Sequence, residues 1–216
     1  MSLFRLDASI MPSTSASRAL GDLVEAEWIE AHPADSVVRR DLAIEPVPAT
    51  AWPAAVIAGN VPEAERTPEQ RAAVALAATL ADELVEADAL LFTVPLYNFG
   101  VSQHFKTWFD LVYTDARTAP GATTLQGKPA VLATVLGGNY GPGTPREGWD
   151  HSTGWLRRVL EDVWGLDLRV VQRPFTLVGV NPALDQFADM AAEIKTQAED
   201  LAREHGRDLA GTRTAA

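Results

Sequence analysis

Hydroxyl side chains crowd one short stretch, DASIMPSTSASRAL from Asp7 to Leu20. It sets Ser9, Ser13, Ser15 and Ser17 between an apolar run and the start of a helical pattern. Serine hydroxyls and the free N–H groups of a helix's first turn make a site for a phosphate without any lysine. An ordinary serine N-cap accounts for one or two of these residues, not for all of them. A second stretch, PLYNFG from Pro95 to Gly100, again follows an apolar run and precedes a helical pattern. Asn98 can offer a donor and an acceptor to a heterocycle edge, and Tyr97 and Phe99 can supply flat apolar walls. The two rings can equally belong to the core beside Phe105 and Trp108. The third stretch, VLGGNYGPG from Val135 to Gly143, holds four glycines behind another apolar run. Its open backbone suits a ring system with carbonyl oxygens, or a flexible surface loop.

Other groupings carry less. Gly100 to His104 imitates the GxSxG nucleophile elbow, but His104 replaces the closing glycine, so Ser102 reads as an early helix residue or cap. Gly121 to Lys128 imitates a P-loop with one residue too many and Pro129 where Ser or Thr must stand. The histidines at 32, 104, 151 and 205 are dispersed, without metal-ligand spacing. His151 reads as a surface residue at a helix start. The tryptophans fall mostly on helical apolar stripes and read as core or interface. No GxGxxG follows the first apolar run, which disfavours a Rossmann-type dinucleotide fingerprint. The chain has no cysteine, which excludes disulfides, thiolate catalysis and Cys-ligated metal centres.

Short apolar runs alternate with helical patterns along the whole chain and position these stretches. Leu3–Leu6 reads as a first strand, 15–31 as a helix with Leu20, Leu23, Val24 and Trp28 on one face, and Ser36–Leu42 as an edge strand. Residues 43–68 are rich in Pro and Ala and read as a long excursion with one helical turn around Trp52–Gly59. A helix follows over Pro68–Ala87, then the continuous apolar run Ala89–Val94 expected of a central parallel strand. After a helix carrying Phe105, Trp108, Phe109 and Val112 come a buried strand at Ala130–Leu136 and a helix at Ser152–Trp164. A strand over Leu168–Val178, broken by Pro174, and a helix over Pro182–Glu204 complete the series. Residues 1–205 are expected to form one domain and 206–216 a frayed polar tail. Strands joined by helices imply right-handed crossovers and a doubly wound α/β sheet. In such sheets ligands bind outside the carboxyl ends of the strands, where all three stretches lie.

Composition narrows the partners. Hydrophobic residues make up 47% of 216 and charged residues 22%, a globular balance. Acidic side chains number 29 against 18 basic, a net charge of −11, and no Lys/Arg cluster exceeds a pair. That excludes nucleic acid and anionic membrane surfaces as partners. No apolar run approaches the ~20 residues of a membrane span, and MSLFRLDAS lacks the pattern of a signal peptide. A cytoplasmic location is expected.

Together the three stretches resemble the FMN-dependent NADH-azoreductases and quinone reductases of flavodoxin-like fold. The family's strand followed by spaced serines appears as Ser9, Ser15 and Ser17. Its P-M-Y-N-F segment appears as Pro95, Leu96, Tyr97, Asn98 and Phe99, followed by Lys106, Phe109 and Asp110. Its double glycine appears as Gly137 and Gly138. RDLA at Arg40–Ala43 and TPEQ at Thr67–Gln70 match as well, and the likeness runs from about Leu3 to Leu201. Val135 and Leu136 depart from the polar residues usual before the double glycine, and the segment 112–127 is short. Tyr140, Trp149 and His151 are candidates to rebuild that side of the pocket.

The resemblance implies a five-stranded parallel sheet in the order 2-1-3-4-5 with helices on both faces. It implies FMN held by Ser9, Ser15, Ala16 and Ser17 at its phosphate. Pro95, Leu96, Tyr97, Asn98 and Phe99 would lie along the isoalloxazine, and Gly137 and Gly138 at its dimethylbenzene or pyrimidine side. It implies a ping-pong cycle in which NADH or NADPH delivers hydride to flavin N5 and a quinone, azo compound or related small-molecule acceptor then takes two electrons. No protein acid or base is required, and no catalytic residue is assigned. Family members are homodimers, and the helix Phe105–Val112 is a candidate contact. Two rival readings stay open: a flavodoxin-like electron carrier, and a flavin-free protein on the same scaffold.

Overall fold

The computed structural model describes residues 1–11 and 13–211. Its strands are β1 (Ser2–Asp7), β2 (Ser36–Asp41), β3 (Ala89–Tyr97), the two-residue β4 (Gly100–Val101), β5 (Pro129–Val135) and β6 (Asp167–Arg173). The helices are α1 (Ala16–Ala31), α2 (Ala51–Ala58), α3 (Pro68–Glu86), α4 (Gln103–Val112), α5 (Thr153–Arg157) and α6 (Ala188–Gly211). The parallel sheet runs β2-β1-β3-β5-β6, with β4 folded back antiparallel on the end of β3. Without that hairpin the order is the expected 2-1-3-4-5.

Each strand is fixed by what its two faces bury. β3 and β5 have apolar side chains on both sides. Phe4, Leu6, Leu90, Phe92, Val94 and Leu132 face α2, α3, α4 and α5, while Leu3, Leu91, Val131, Ala133 and Val171 face α1 and α6. Continuous burial is what a central parallel strand requires. β2 pairs only with β1 and is largely exposed, as its Arg-rich sequence demands at an edge. Helix ends are set by local chemistry. Thr67 and Gln70 form a reciprocal capping box with Pro68 in the first turn of α3. The far end of α3 is held by Lys128, whose ammonium donates to the carbonyls of Leu84, Val85 and Ala87 at 2.7, 2.8 and 2.5 Å. Burial lowers the pKa of Lys128 from its ordinary value. The residue that imitates a P-loop lysine instead serves the carbonyls at the C-terminal end of α3.

Four expectations are corrected. The last strand stops at Arg173, before Pro174, because proline cannot donate to the ladder. The helix expected over Ser152–Trp164 is α-helical for five residues and continues as a π-helix over Arg158–Val163. Residues 206–211 do not fray: α6 continues through them with Gly206, Leu209 and Ala210 buried. The remainder of that tail, 212–216, lies outside the described residues. The apolar face of α4 is not free for a partner, since Phe105, Trp108, Phe109, Leu111 and Val112 are buried in the chain's own core. Among the described residues no helix is long and apolar enough to cross a membrane.

Register brings the strand ends to one rim. Asp7 stands beside Asp41 and Thr93, Pro95 beside Val135, and Val135 beside Arg173. The loops carrying the candidate residues all leave from this rim.

Candidate functional site

Ser15 is the N-cap of α1, in extended conformation, its hydroxyl accepting from the N–H of Arg18 at 3.3 Å. Ala16 and Ser17 open the helix, where N–H groups have no intrahelical acceptor. Ser17 is buried, its hydroxyl 3.0 Å from that of Ser15. Ser9 is buried as well; its hydroxyl lies 3.0 Å from the Tyr97 hydroxyl and accepts from the N–H of Met11 at 3.2 Å. The N–H of Ile10 donates to the same Tyr97 oxygen at 3.2 Å. Ser13 is exposed in the turn before the helix.

Arg18, to which the sequence assigns no role, and Ser102, which it reads as a helix residue or cap, hold this loop in place. Arg18 donates to both carboxylate oxygens of Asp41 at 2.6 and 2.7 Å and to the carbonyl of Ser9 at 3.2 Å. The hydrogen bond to Asp41 raises the arginine's pKa. At Asp41 burial pushes upward, but the hydrogen bonds and charge of Arg18 together with the N–H groups of Ala43 and Ile44 hold the carboxyl below its ordinary value. Ser102 is buried and donates to the carbonyl of Ala8 at 2.8 Å, tying the start of α4 to the serine loop. Ser102 stands at the N-cap of α4 without making a cap bond. No local pattern announces either tie; only the RDLA match included Asp41. Beneath the loop, Arg5 bonds to Asp7, Asp22 and Glu25, and Thr93 donates to Asp7 at 2.6 Å.

The aromatic stretch forms a tight hairpin. Asn98 and Phe99 have φ of 49° and 66° and link β3 to β4, the pattern of a type I′ turn. Asparagine tolerates that region; phenylalanine does so at a cost, and such strain concentrates at functional sites. Phe99 is exposed and meets Tyr140 and Trp149 edge-on at 6.1 and 5.4 Å. Its carbonyl accepts from the N–H of His151 at 3.0 Å. The choice left open for Tyr97 and Phe99 is thereby decided: neither joins Phe105 and Trp108 in the core. Pro95 is buried and Leu96 half-buried behind the turn.

Gly137 and Gly138 leave β5 beside the segment after β6. The N–H groups of Leu177 and Phe175 donate to their carbonyls at 3.1 and 3.2 Å. A Cβ on Gly137 would stand 2.7 Å from Leu177 Cδ1, so any side chain there would have to displace the exposed Leu177 side chain. At Gly138 the nearest atom to such a Cβ is the Tyr140 hydroxyl at 3.7 Å, an ordinary contact.

The serine loop, the aromatic hairpin and the glycine loop thus meet on one rim. The first offers hydroxyls and helix N–H groups, backed by the Arg18 guanidinium that holds the loop through Asp41. The second offers flat walls and an amide. This donor set fits a phosphorylated, ring-bearing cofactor such as FMN. The family model described as flavodoxin-like fold matches residues 1–201. The chain belongs to this flavodoxin-like family.

A Frankia casuarinae protein named FMN-dependent NADH:quinone oxidoreductase is 37% identical over 204 residues, covering 93% of this chain and 96% of its own. A Streptomyces coelicolor protein of the same name is 36% identical over 217 residues, 99% and 97% of the two chains. Among solved structures, an azoreductase from Bacillus anthracis str. Sterne superposes with a TM-score of 0.77 at 24% identity, covering 96% and 99%. An FMN-dependent NADH-azoreductase from Bacillus anthracis str. Ames Ancestor, in complex with FMN, does so at 0.76 and 17% identity over 97% and 99%. At such identities the two structures establish the fold of this flavodoxin-like chain.

Proposed function

We propose that the protein is an FMN-dependent oxidoreductase that passes two electrons from NADH or NADPH to a quinone or azo acceptor. The single observation that carries this reading is the tie between Ser9 and Tyr97. It draws the phosphate-suited loop and the strained aromatic hairpin into one site. The names of its relatives point the same way.

In this reading Ser9, Ser15, Ser17 and the first N–H groups of α1 receive the FMN phosphate, with the helix dipole adding to the attraction. Arg18 holds the loop closed from behind through Asp41. Pro95 and Leu96 stiffen the exit of β3, Tyr97 and Phe99 wall the ring, and Asn98 meets its polar edge. Gly138 and the backbone of the glycine loop approach the ring's far side. Bound FMN supplies the step that a protein cannot, accepting hydride from the nicotinamide and passing electrons onward. The balance is NADH, a proton and a quinone giving NAD⁺ and a hydroquinone. The side chains at the site position and exclude water, and none is needed as an acid or base. The protein is further proposed to act in the cytoplasm as a homodimer. With the apolar face of α4 committed to the core, the contact is proposed on α2, where Trp52, Val56 and Ile57 are exposed together.

The test is direct. Purified protein supplied with FMN should show the visible flavin spectrum at one FMN per chain and should oxidise NADH when menadione is added. Bound flavin without NADH-dependent turnover would make it an electron carrier. Failure to take up FMN would remove both readings.

A further inference from the structure

A cavity of about 440 Å³ lies beside the glycine loop, and apart from Gly138 at its edge the reading above assigns it no role. It opens between the loop after β5, from Gly138 to Arg146, and the segment after β6 that runs into α6. Its lining is mostly apolar: Tyr140, Phe175, Leu177, Leu184, Phe187 and Met190. Volume and lining both suit a small apolar ligand, since such sites span roughly 300–1,000 Å³.

Two features mark it as built rather than left over. Phe175 has φ of 62°, which a bulky side chain adopts only under constraint, and its ring is buried in a stack on Phe187 with centroids 5.2 Å apart. The backbone that imposes this strain is the same that ties the segment to the glycine loop, through Phe175 N–H to the Gly138 carbonyl and Leu177 N–H to the Gly137 carbonyl. The cavity also adjoins the proposed flavin site. Gly138, assigned to that site, lines it, and so does Tyr140, whose ring meets Phe99 of the hairpin edge-on. An apolar substituent on a molecule held at the hairpin would find the cavity on the other side of Tyr140. Leu177 and Met190 are exposed at present and would be covered by it.

We propose that this cavity binds the apolar arm of the electron acceptor, which makes the preferred acceptor a quinone bearing an alkyl or isoprenoid chain. The proposal rests on the oxidoreductase reading and deepens it. The arm stays chemically inert; its burial lowers KM, because apolar area leaves water on binding.

The experiment compares menadione with the same ring carrying a saturated arm of decyl length, in the FMN-loaded protein. Ala183→Trp and Met190→Trp each place an indole in the cavity from an exposed position, so neither disturbs the core. The wild type should turn over the armed quinone with a kcat/KM at least about tenfold above menadione, the gain residing in KM. Each variant should lower that ratio about tenfold while retaining one FMN per chain. Turnover of both quinones with a ratio that neither variant alters overturns the cavity assignment alone. Absence of turnover with either quinone overturns this proposal together with the reading beneath it. A sedimentation coefficient changed by the variants makes the cavity a subunit contact and overturns the proposal as well.

Discussion

The Tyr97 hydroxyl is bonded to Ser9 Oγ and to the N–H of Ile10, groups that belong to the loop proposed to receive a phosphate. A tyrosine at the end of β3 therefore orients the serine loop, in addition to any contact its ring makes. Tyr97→Phe keeps the ring and removes the tie. A hydrogen bond of this kind contributes about 1 kcal/mol, so FMN affinity should fall roughly fivefold. Riboflavin, which lacks the phosphate, should lose less. Quenching of flavin fluorescence on titrating the apoprotein measures both; equal losses for the two flavins would show that the hydroxyl acts on the ring and not on the phosphate loop. At this scale the sequence was readable where the chemistry is local. Ser15 caps the helix that begins one residue later, so its role follows from spacing. Arg18 and Asp41 meet only because β2 lies beside β1, and Ser102 reaches Ala8 across the rim. No window of adjacent residues contains either fact. The closeness of Gly137 to Leu177 was likewise hidden, since Leu177 comes from a different loop.

Elements were readable in proportion to how far their periodicity decided burial. β3 and β5 are continuous apolar runs and stand in the structure as such, whereas the end of α6 depends on tertiary partners. The stretch after Glu204 looks like a polar tail because Gly206 weakens helix propensity and Arg207 and Asp208 are charged. Yet Gly206, Leu209 and Ala210 share one face of α6, and that face packs on α1. Glycine is there for proximity. A Cβ at Gly206 would stand 2.8 Å from the Val24 carbonyl oxygen and 2.9 Å from Glu27 Cβ. Gly206→Ala should therefore destabilise the fold by roughly 1–3 kcal/mol, despite alanine's better helix propensity. For a chain of this size each kcal/mol lowers Tm by about 2–4 °C. Thermal unfolding followed by circular dichroism measures it; an unchanged or raised Tm would mean that α1 and α6 cross farther apart. Flavin content should hold in this variant, because Gly206 lies near the C-terminal end of α6 and far along the chain from the three loops.

The molecule as a whole spends its apolar residues on two clusters, one on each face of the sheet. What remains outside is uneven. α2 turns Ala51, Ala55 and Ala58 inward and leaves Trp52, Val56 and Ile57 exposed by 45, 47 and 55%. Its sequence, AWPAAVIA, has no charged residue on either side. An outward helix face of that kind marks a protein contact more often than a solvated surface. The net charge of −11 makes the partner's chemistry a sharper question. Two copies of this chain repel at long range, so a homodimer must be held by apolar burial and should tighten as added salt screens the repulsion. Replacing Val56 and Ile57 together by aspartate places two further negative charges at the contact and, because both side chains are exposed, leaves the core intact. Sedimentation equilibrium should give the mass of two chains for the native sequence, with association strengthened by salt, and the mass of one chain for the double variant. A native protein that sediments as one chain at every salt concentration, or a double variant that still pairs, would place the subunit contact elsewhere or remove it.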